Sequence, residues 1–209
     1  MQEFIKVPRN KQSLSKKILV QGVGINDSWY MTMTTINGVK VRCPAYRAWC
    51  NMLKRCYSEK SLIINPTYTD CTVDRQWLYF SEFEKWHSAN YKEGYHLDKD
   101  IKVKGNKIYS RDSCLYVKQS VNKLFLSSAR HKKSDLPAGV YFDESRESYV
   151  AGIKVNGKRH FIGRFCTPLE ANHCYKKAKN DQIAIAMLEN KDIAKYLEKH
   201  LYDLSVNDI

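Results

Sequence analysis

Residues 95–122 read YHLDKDIKVKGNKIYSRDSCLYVKQSVN, and the fold class of the chain turns on this stretch. It opens with an extended segment that carries two carboxylates, Leu97-Asp98-Lys99-Asp100-Ile101. A polar turn follows at Gly105-Asn106, then a second apolar run from Cys114 to Val117. A helix begins near Lys118 and holds Asn122 in its first turns. Two strands followed by a helix can grip one divalent cation between a strand carboxylate and a helix side chain, and such an ion steadies charge on a cleaved phosphodiester. His96, two residues before Asp98, alternates onto the same strand face and is a candidate for activating water.

The order acid, base position, loop, strand, helix ligand resembles the ββα-metal core of HNH nucleases of the phage homing-endonuclease type. The resemblance implies metal ligands at Asp98 and Asn122, with Mg²⁺ or Mn²⁺ as the ion if the site is active. The family's water-deprotonating His falls on Lys99, and its middle Asn, which pins the loop beside the base, falls on Ser113. Lysine is a poor base unless its pKa is driven down. A Lys there adds a phosphate contact while removing the general base. The candidate catalytic set is therefore Asp98, Lys99 and Asn122, from the resemblance, with His96 added from strand alternation.

Upstream, Pro44 opens a helix, AYRAWCNMLKRCY, in which Tyr46, Trp49, Met52 or Leu53, and Cys56 recur at helical spacing and so face a core. Arg47, Lys54 and Arg55 lie off that stripe, where they either meet solvent or face phosphates. The segment Cys71–Trp86 reads as a short strand and a second amphipathic helix, with Trp77, Phe80, Phe83 and Trp86 expected in the core. These two blocks followed by L-D-K-D repeat the layout of phage HNH-like proteins over residues 43 to about 125. Before them, residues 1–17 read as a mobile basic arm. Asn37-Gly38, between MTMTTI and VKVRC, predicts a tight type I′ hairpin.

The tract His131-Lys132-Lys133-Ser134, ahead of Pro137, reads as a basic linker and a domain boundary. Beyond it, Gly139–Phe142, Tyr149–Val155 and Lys158–Phe165 predict three short antiparallel strands, the last two joined at Asn156-Gly157. Three strands cannot bury a face alone. A helix from Pro168, capped by Thr167 with Glu170 in its first turn, supplies the cover through Ala171, Cys174 or Tyr175, Ala178 and Ile183. Asn190–Leu204 predicts one more amphipathic helix, with Ile193, Leu197 and Leu201 on one side.

The run G-V, Y-V-A-x-I and F-I-G-x-F-x-T-x-x-E-A-x-x-x-Y-x-x-A closely resembles the APETALA/ERF-type DNA-binding domain of plant ethylene-response factors, which also occurs fused to phage homing nucleases. In that family the sheet enters the major groove, so the resemblance implies contacts from Tyr141, Asp143, Gly152, Lys154, Arg159, Phe161 and Arg164. Tyr141 and Asp143 stand where the plant domain has Arg, and Gly152 replaces an acidic residue. The plant target sequence is accordingly not expected to carry over. Lys132 and Lys133 could bridge phosphates between the modules.

Composition supports the same direction. Thirty-five Lys and Arg against 22 Asp and Glu give a formal charge of +13 over 209 residues, a balance that attracts polyanions. A hydrophobic content of 43% is enough for real cores. Seven cysteines without a C-x-x-C pair read as reduced, mostly buried thiols. Cys43, Cys50, Cys56 and Cys71 match no common zinc module, so no structural zinc is expected. No apolar run long enough to span a bilayer and no signal core occur, and a cytoplasmic protein of a bacterial host, associated with nucleoid or phage DNA, is expected.

The chain is thus expected to be α+β: an HNH-like ββα-metal module over residues 43–130, preceded by a basic arm and small hairpin unit over 1–42. An APETALA/ERF-like sheet packed on one helix follows over 136–190, and a C-terminal helix over 191–209. The expected partner is double-stranded DNA, with no membrane and no small-molecule cofactor. Two functions stay open, a metal-dependent DNA endonuclease and a catalytically inactive relative acting as a DNA-binding repressor or a replication or competition factor.

Overall fold

The computed structural model describes residues 4–15, 18–125 and 135–204. The fold is mixed α+β, and the chain divides into two compact units, Met1–Val117 and Lys118–Ile209. Among the described residues no helix is long and apolar enough to cross a membrane.

The first unit begins with a segment that is docked rather than free. Pro8 bridges Tyr30, and Arg9 Nη1 donates to the carbonyls of Asn26 and Ser28. Lys6 Nζ lies 2.7 Å from Glu84 Oε1. A single turn, α1 (Lys11–Ser15), follows. The expected mobile arm is therefore tied down over its described part, because Arg9 finds main-chain acceptors and Lys6 a carboxylate on the same unit.

The hairpin forms as the sequence predicts. β1 (Met33–Ile36) pairs antiparallel with β2 (Val39–Arg42), and Asn37 and Gly38 sit at φ 48° and 77°, the left-handed pair that a type I′ turn needs. Helix α2 (Pro44–Tyr57) buries Ala45, Trp49, Met52, Leu53 and Cys56. A short helix, α3 (Glu59–Ile64), leads to β3 (Thr72–Val73) and then to a 3₁₀ turn at Arg75–Leu78 that carries Trp77. Helix α4 (Phe80–Asn90) starts without a cap of its own. Asp27, 54 residues earlier in the chain, accepts from both the backbone N–H and the hydroxyl of Ser81 and so supplies one.

Tyr30, Trp49, Phe80, Phe83 and Trp77 form the aromatic centre of this unit, with Trp86 packed against it. Four of the cysteines expected in the core, Cys43, Cys56, Cys71 and Cys114, lie in the same cluster. Burial pushes the Cys56 thiol up to about 12.

The deciding stretch becomes β4 (Tyr95–Asp98), a loop, β5 (Ile108–Tyr109), β6 (Leu115–Lys118) and α5 (Gln119–Phe125). β4 pairs with β6, while β5 pairs parallel with β3, a partner that alternation alone does not reveal. Helix α5 groups with the second unit, where the Phe125 ring lies 4.6 Å from that of His200. Its expected extension toward Arg130 lies outside the described residues.

In the second unit β7 (Val140–Asp143), β8 (Ser148–Val155) and β9 (Lys158–Phe165) form one antiparallel sheet in that order. Asn156 and Gly157, at φ 49° and 84°, turn β8 into β9. Helix α6 (Pro168–Glu189) opens with a full capping box, in which Thr167 and Glu170 satisfy each other's backbone N–H. Val140, Ala151 and Ala171 make the dry seam between sheet and helix, flanked by Tyr149, Ile162, Phe165 and Tyr175.

The expected fifteen-residue C-terminal helix is instead one turn, α7 (Ala194–Leu197), and a 3₁₀ turn at Glu198–His200. Two asparagines cause the difference. Asn190 Nδ2 bonds back to the Ala186 carbonyl and ends α6, and the Asn180 amide pairs with both the N–H and the carbonyl of Tyr202. The second pairing draws the chain out extended at the point where helix was expected. Leu197 is buried, but Leu201 is left exposed.

Candidate nucleic-acid interface and the Asp98 strand

Register decides which side chains of the second sheet share a face. Tyr141, Val150 and Arg164 form one row across it, Gly152 and Phe161 the next, and Lys154 and Arg159 another. By strand alternation these residues point away from the seam that α6 covers. Between Ala151 and Gly152 the register shifts, because Ile162 is an extra residue in β9. Such a bulge re-aims the side chains beyond it. Without it Phe161 and Arg164, three residues apart, would face opposite sides. With it, Tyr141, Lys154, Arg159, Phe161 and Arg164 share one face.

That face is open and cationic. Lys154, Arg159 and Arg164 are exposed, Phe161 is 64% exposed and Tyr141 40%. Val150, in the row between Tyr141 and Arg164, is buried and gives the face an apolar floor.

Both arginines of β9 lie across the sheet. The Arg159 guanidinium sits 4.7 Å from the centre of the Tyr141 ring on β7, with β8 between. Arg164 Nη1 reaches Asp143 Oδ2 on β7 at 2.5 Å, and its guanidinium lies 5.8 Å from the Phe161 ring. A hydrogen bond from Ser145, and then Arg164 itself, hold the Asp143 carboxyl below the usual carboxylate range. A planar guanidinium that is stacked or forked in this way is pre-organised for bidentate contact with a base edge or a phosphate.

The Asp98 strand is a different kind of place. Asp98 is half-buried at the end of β4, and its Oδ1 accepts the backbone N–H groups of Asp100 and Ile101, each at 2.8 Å. Burial pushes its carboxyl up, against the pull of those two bonds. Lys99 is 5% exposed. Its Nζ lies 2.7 Å from Asp100 Oδ1 and donates to the Asn106 carbonyl, also at 2.7 Å. Burial pulls the Lys99 ammonium down, but its hydrogen bond and attraction to Asp100, together with Cys71 and Tyr68, hold it above the ordinary lysine value. A lysine so held is a fixed cation and does not take a proton from water. His96 is exposed on the same strand.

The loop is tied by Asn106 as well as by Ser113. The Asn106 amide donates to the carbonyls of Lys99 and Ile108, at 2.9 and 2.7 Å. Ser113 is buried and bonds the Ile108 carbonyl and Ser110. The turn Gly105-Asn106 was the available signal, since Asn bonds readily to nearby main chain. Arg55, which the helical stripe leaves outside the core, is a half-buried cation. Burial pulls it down, but Tyr109, Tyr68 and Asp98 together raise it. Arg47 and Lys54 are exposed.

Asp98, the carboxylate expected to hold a metal, thus accepts backbone N–H groups at Oδ1 inside the first unit, and its neighbour Asp100 is paired with Lys99. Asn122 is half-buried on α5, in the second unit. Among the described residues no three His, Cys, Asp or Glu gather closely enough to hold an ion. Lys132 and Lys133 lie outside the described residues. No family model, no curated protein and no solved structure matches this chain.

Proposed function

We propose that the chain is a sequence-directed, double-stranded DNA-binding protein of phage or mobile-element type, which docks the open face of its second sheet on the duplex. One observation carries the reading: Lys154, Arg159 and Arg164, with Tyr141 and Phe161, converge on the sheet face that α6 leaves uncovered. Cations of this kind neutralise phosphates, and arginines held by neighbours also read guanine edges. The excess of 13 positive charges adds a long-range attraction to the same partner. This is the use that an APETALA/ERF-like sheet makes of its exposed face. The test is a fluorescence-anisotropy titration of labelled duplex with the parent and with an Arg159→Ala/Arg164→Ala chain. Loss of at least tenfold in affinity supports the reading, and equal affinity refutes it.

Between binding and cutting, the pairing of Lys99 with Asp100 favours a form that binds without cleaving, a domesticated relative of the HNH nucleases acting as repressor or replication factor. Cleavage is the second reading, and it rests on Asp98 in the strand-strand-helix order. Supercoiled plasmid incubated with Mg²⁺ or Mn²⁺ separates the two. Nicking by the parent that disappears in Asp98→Ala restores the nuclease, whereas intact plasmid in both leaves the binding protein.

A further inference from the structure

The route of Arg159 to Tyr141 depends on what stands between them. Arg159 starts on β9, in the row of Lys154, and its guanidinium ends over Tyr141 on β7, in the row of Val150. The middle strand must be crossed on the way, and Gly152 is the residue of β8 in the intermediate row. A Cβ at Gly152 would lie 3.3 Å from the His160 carbonyl oxygen, 3.5 Å from Arg159 Nε and 4.0 Å from its Cγ, already in contact. Any branch beyond that Cβ would occupy the space the arginine stem now fills.

Gly152 is therefore a gap in the open face through which Arg159 lies flat. Its backbone is not in the left-handed region, so glycine is not required by conformation. The ring of Tyr141 then fixes the guanidinium plane, since a cation over an aromatic face is held electrostatically. A side chain laid down in this way loses less rotamer freedom on binding. Arg159 therefore reaches the duplex with its fork already oriented.

We propose that Gly152 and Tyr141 are positioning residues that make Arg159 a reader of guanine at one base pair of the target, rather than a general phosphate clamp. The inference rests on the duplex-binding reading above. Arg164 is held separately, through Asp143.

The test is selection of bound duplexes from a randomised pool by the full chain, followed by sequencing, for the parent and for Gly152→Val, Tyr141→Leu, Tyr141→Phe and Arg159→Lys. Circular-dichroism melts check that each variant keeps its fold. The parent is expected to prefer guanine at one position by on the order of tenfold, the discrimination typical of a good bidentate pair. Gly152→Val, Tyr141→Leu and Arg159→Lys should each flatten that same position and leave the others. Tyr141→Phe, which keeps the ring, should retain the preference. Should Gly152→Val unfold the unit, Tyr141→Leu against Tyr141→Phe still decides the matter. A guanine preference that Tyr141→Leu leaves intact overturns this inference while the duplex-binding reading survives. A parent that retains no duplex overturns both.

Discussion

Lys99 and Asn106 hold each other's main chain: Lys99 Nζ donates to the Asn106 carbonyl at 2.7 Å, and Asn106 Nδ2 donates to the Lys99 carbonyl at 2.9 Å. The loop between them is closed by this reciprocal pair. Asn106→Ala removes bonds to two carbonyls and should destabilise the first unit by about 1–2 kcal/mol. All four tryptophans, Trp29, Trp49, Trp77 and Trp86, lie in that unit, so tryptophan fluorescence during urea unfolding reports it alone. An unchanged midpoint would show that the loop is not held by Asn106.

Acid should weaken the same unit through His87. It is 4% exposed, its Nδ1 lies 2.6 Å from the Tyr116 hydroxyl, and burial lowers its pKa to about 4. The folded value is below the unfolded one of about 6.5, so the unfolded chain binds the proton first. Stability is then fully present above about pH 6.5 and is lost as pH falls toward 4, by on the order of 3 kcal/mol. His87→Gln, which can still meet Tyr116 and does not titrate, should flatten that part of the profile. Parallel profiles for parent and variant would assign the acid sensitivity to other groups.

Gly139 should tolerate no side chain. Its φ is 80°, and a Cβ there would lie 2.1 Å from Tyr175 Cδ2 on α6. Gly139→Ala combines a left-handed backbone with overpacking and should cost about 2–5 kcal/mol in the second unit. A circular-dichroism melt checks this, and a Tm within a degree of the parent's would mean that Tyr175 moves aside freely.

These cases show which features local sequence carries and which it does not. The hairpins at Asn37-Gly38 and Asn156-Gly157, the helix starting at Pro44 and the Thr167–Glu170 capping box were legible, because each is written in adjacent residues. The sharing of one face by Phe161 and Arg164 was implied by the family resemblance alone, since it needs the bulge at Ile162 and strict alternation would separate them. Local sequence did not show the burial of Lys99 or the half-burial of Arg55 either. Charged residues off an apolar stripe read as solvated, and only tertiary partners such as Asp100 and Tyr109 make an interior place for them. The shortened C-terminal helix has the same origin, in the bond between Asn180 and Tyr202 across 22 residues.

Asp143 sets a restraint on the open face of the second sheet. It is the carboxylate paired with Arg164 on the open face, and it opposes an approaching phosphate. Asp143→Asn should strengthen binding to random-sequence duplex severalfold and make the log K against log salt slope steeper by about one phosphate's worth, roughly 0.9. Selectivity should fall, because Arg164 loses its fixed fork. Anisotropy titrations over a range of salt concentrations measure the first two effects. Weaker binding by the variant would mean that Asp143 supports the interface instead.

The most direct test of the account is the salt dependence of duplex binding by the full chain and by a Lys154→Ala/Arg159→Ala/Arg164→Ala variant shown by circular dichroism to be folded. The account predicts a linear fall of log K with log salt for the parent and a slope shallower by about two to three in the variant, with affinity reduced at every salt concentration. Superimposable lines for the two proteins would contradict the claim that this sheet face meets DNA.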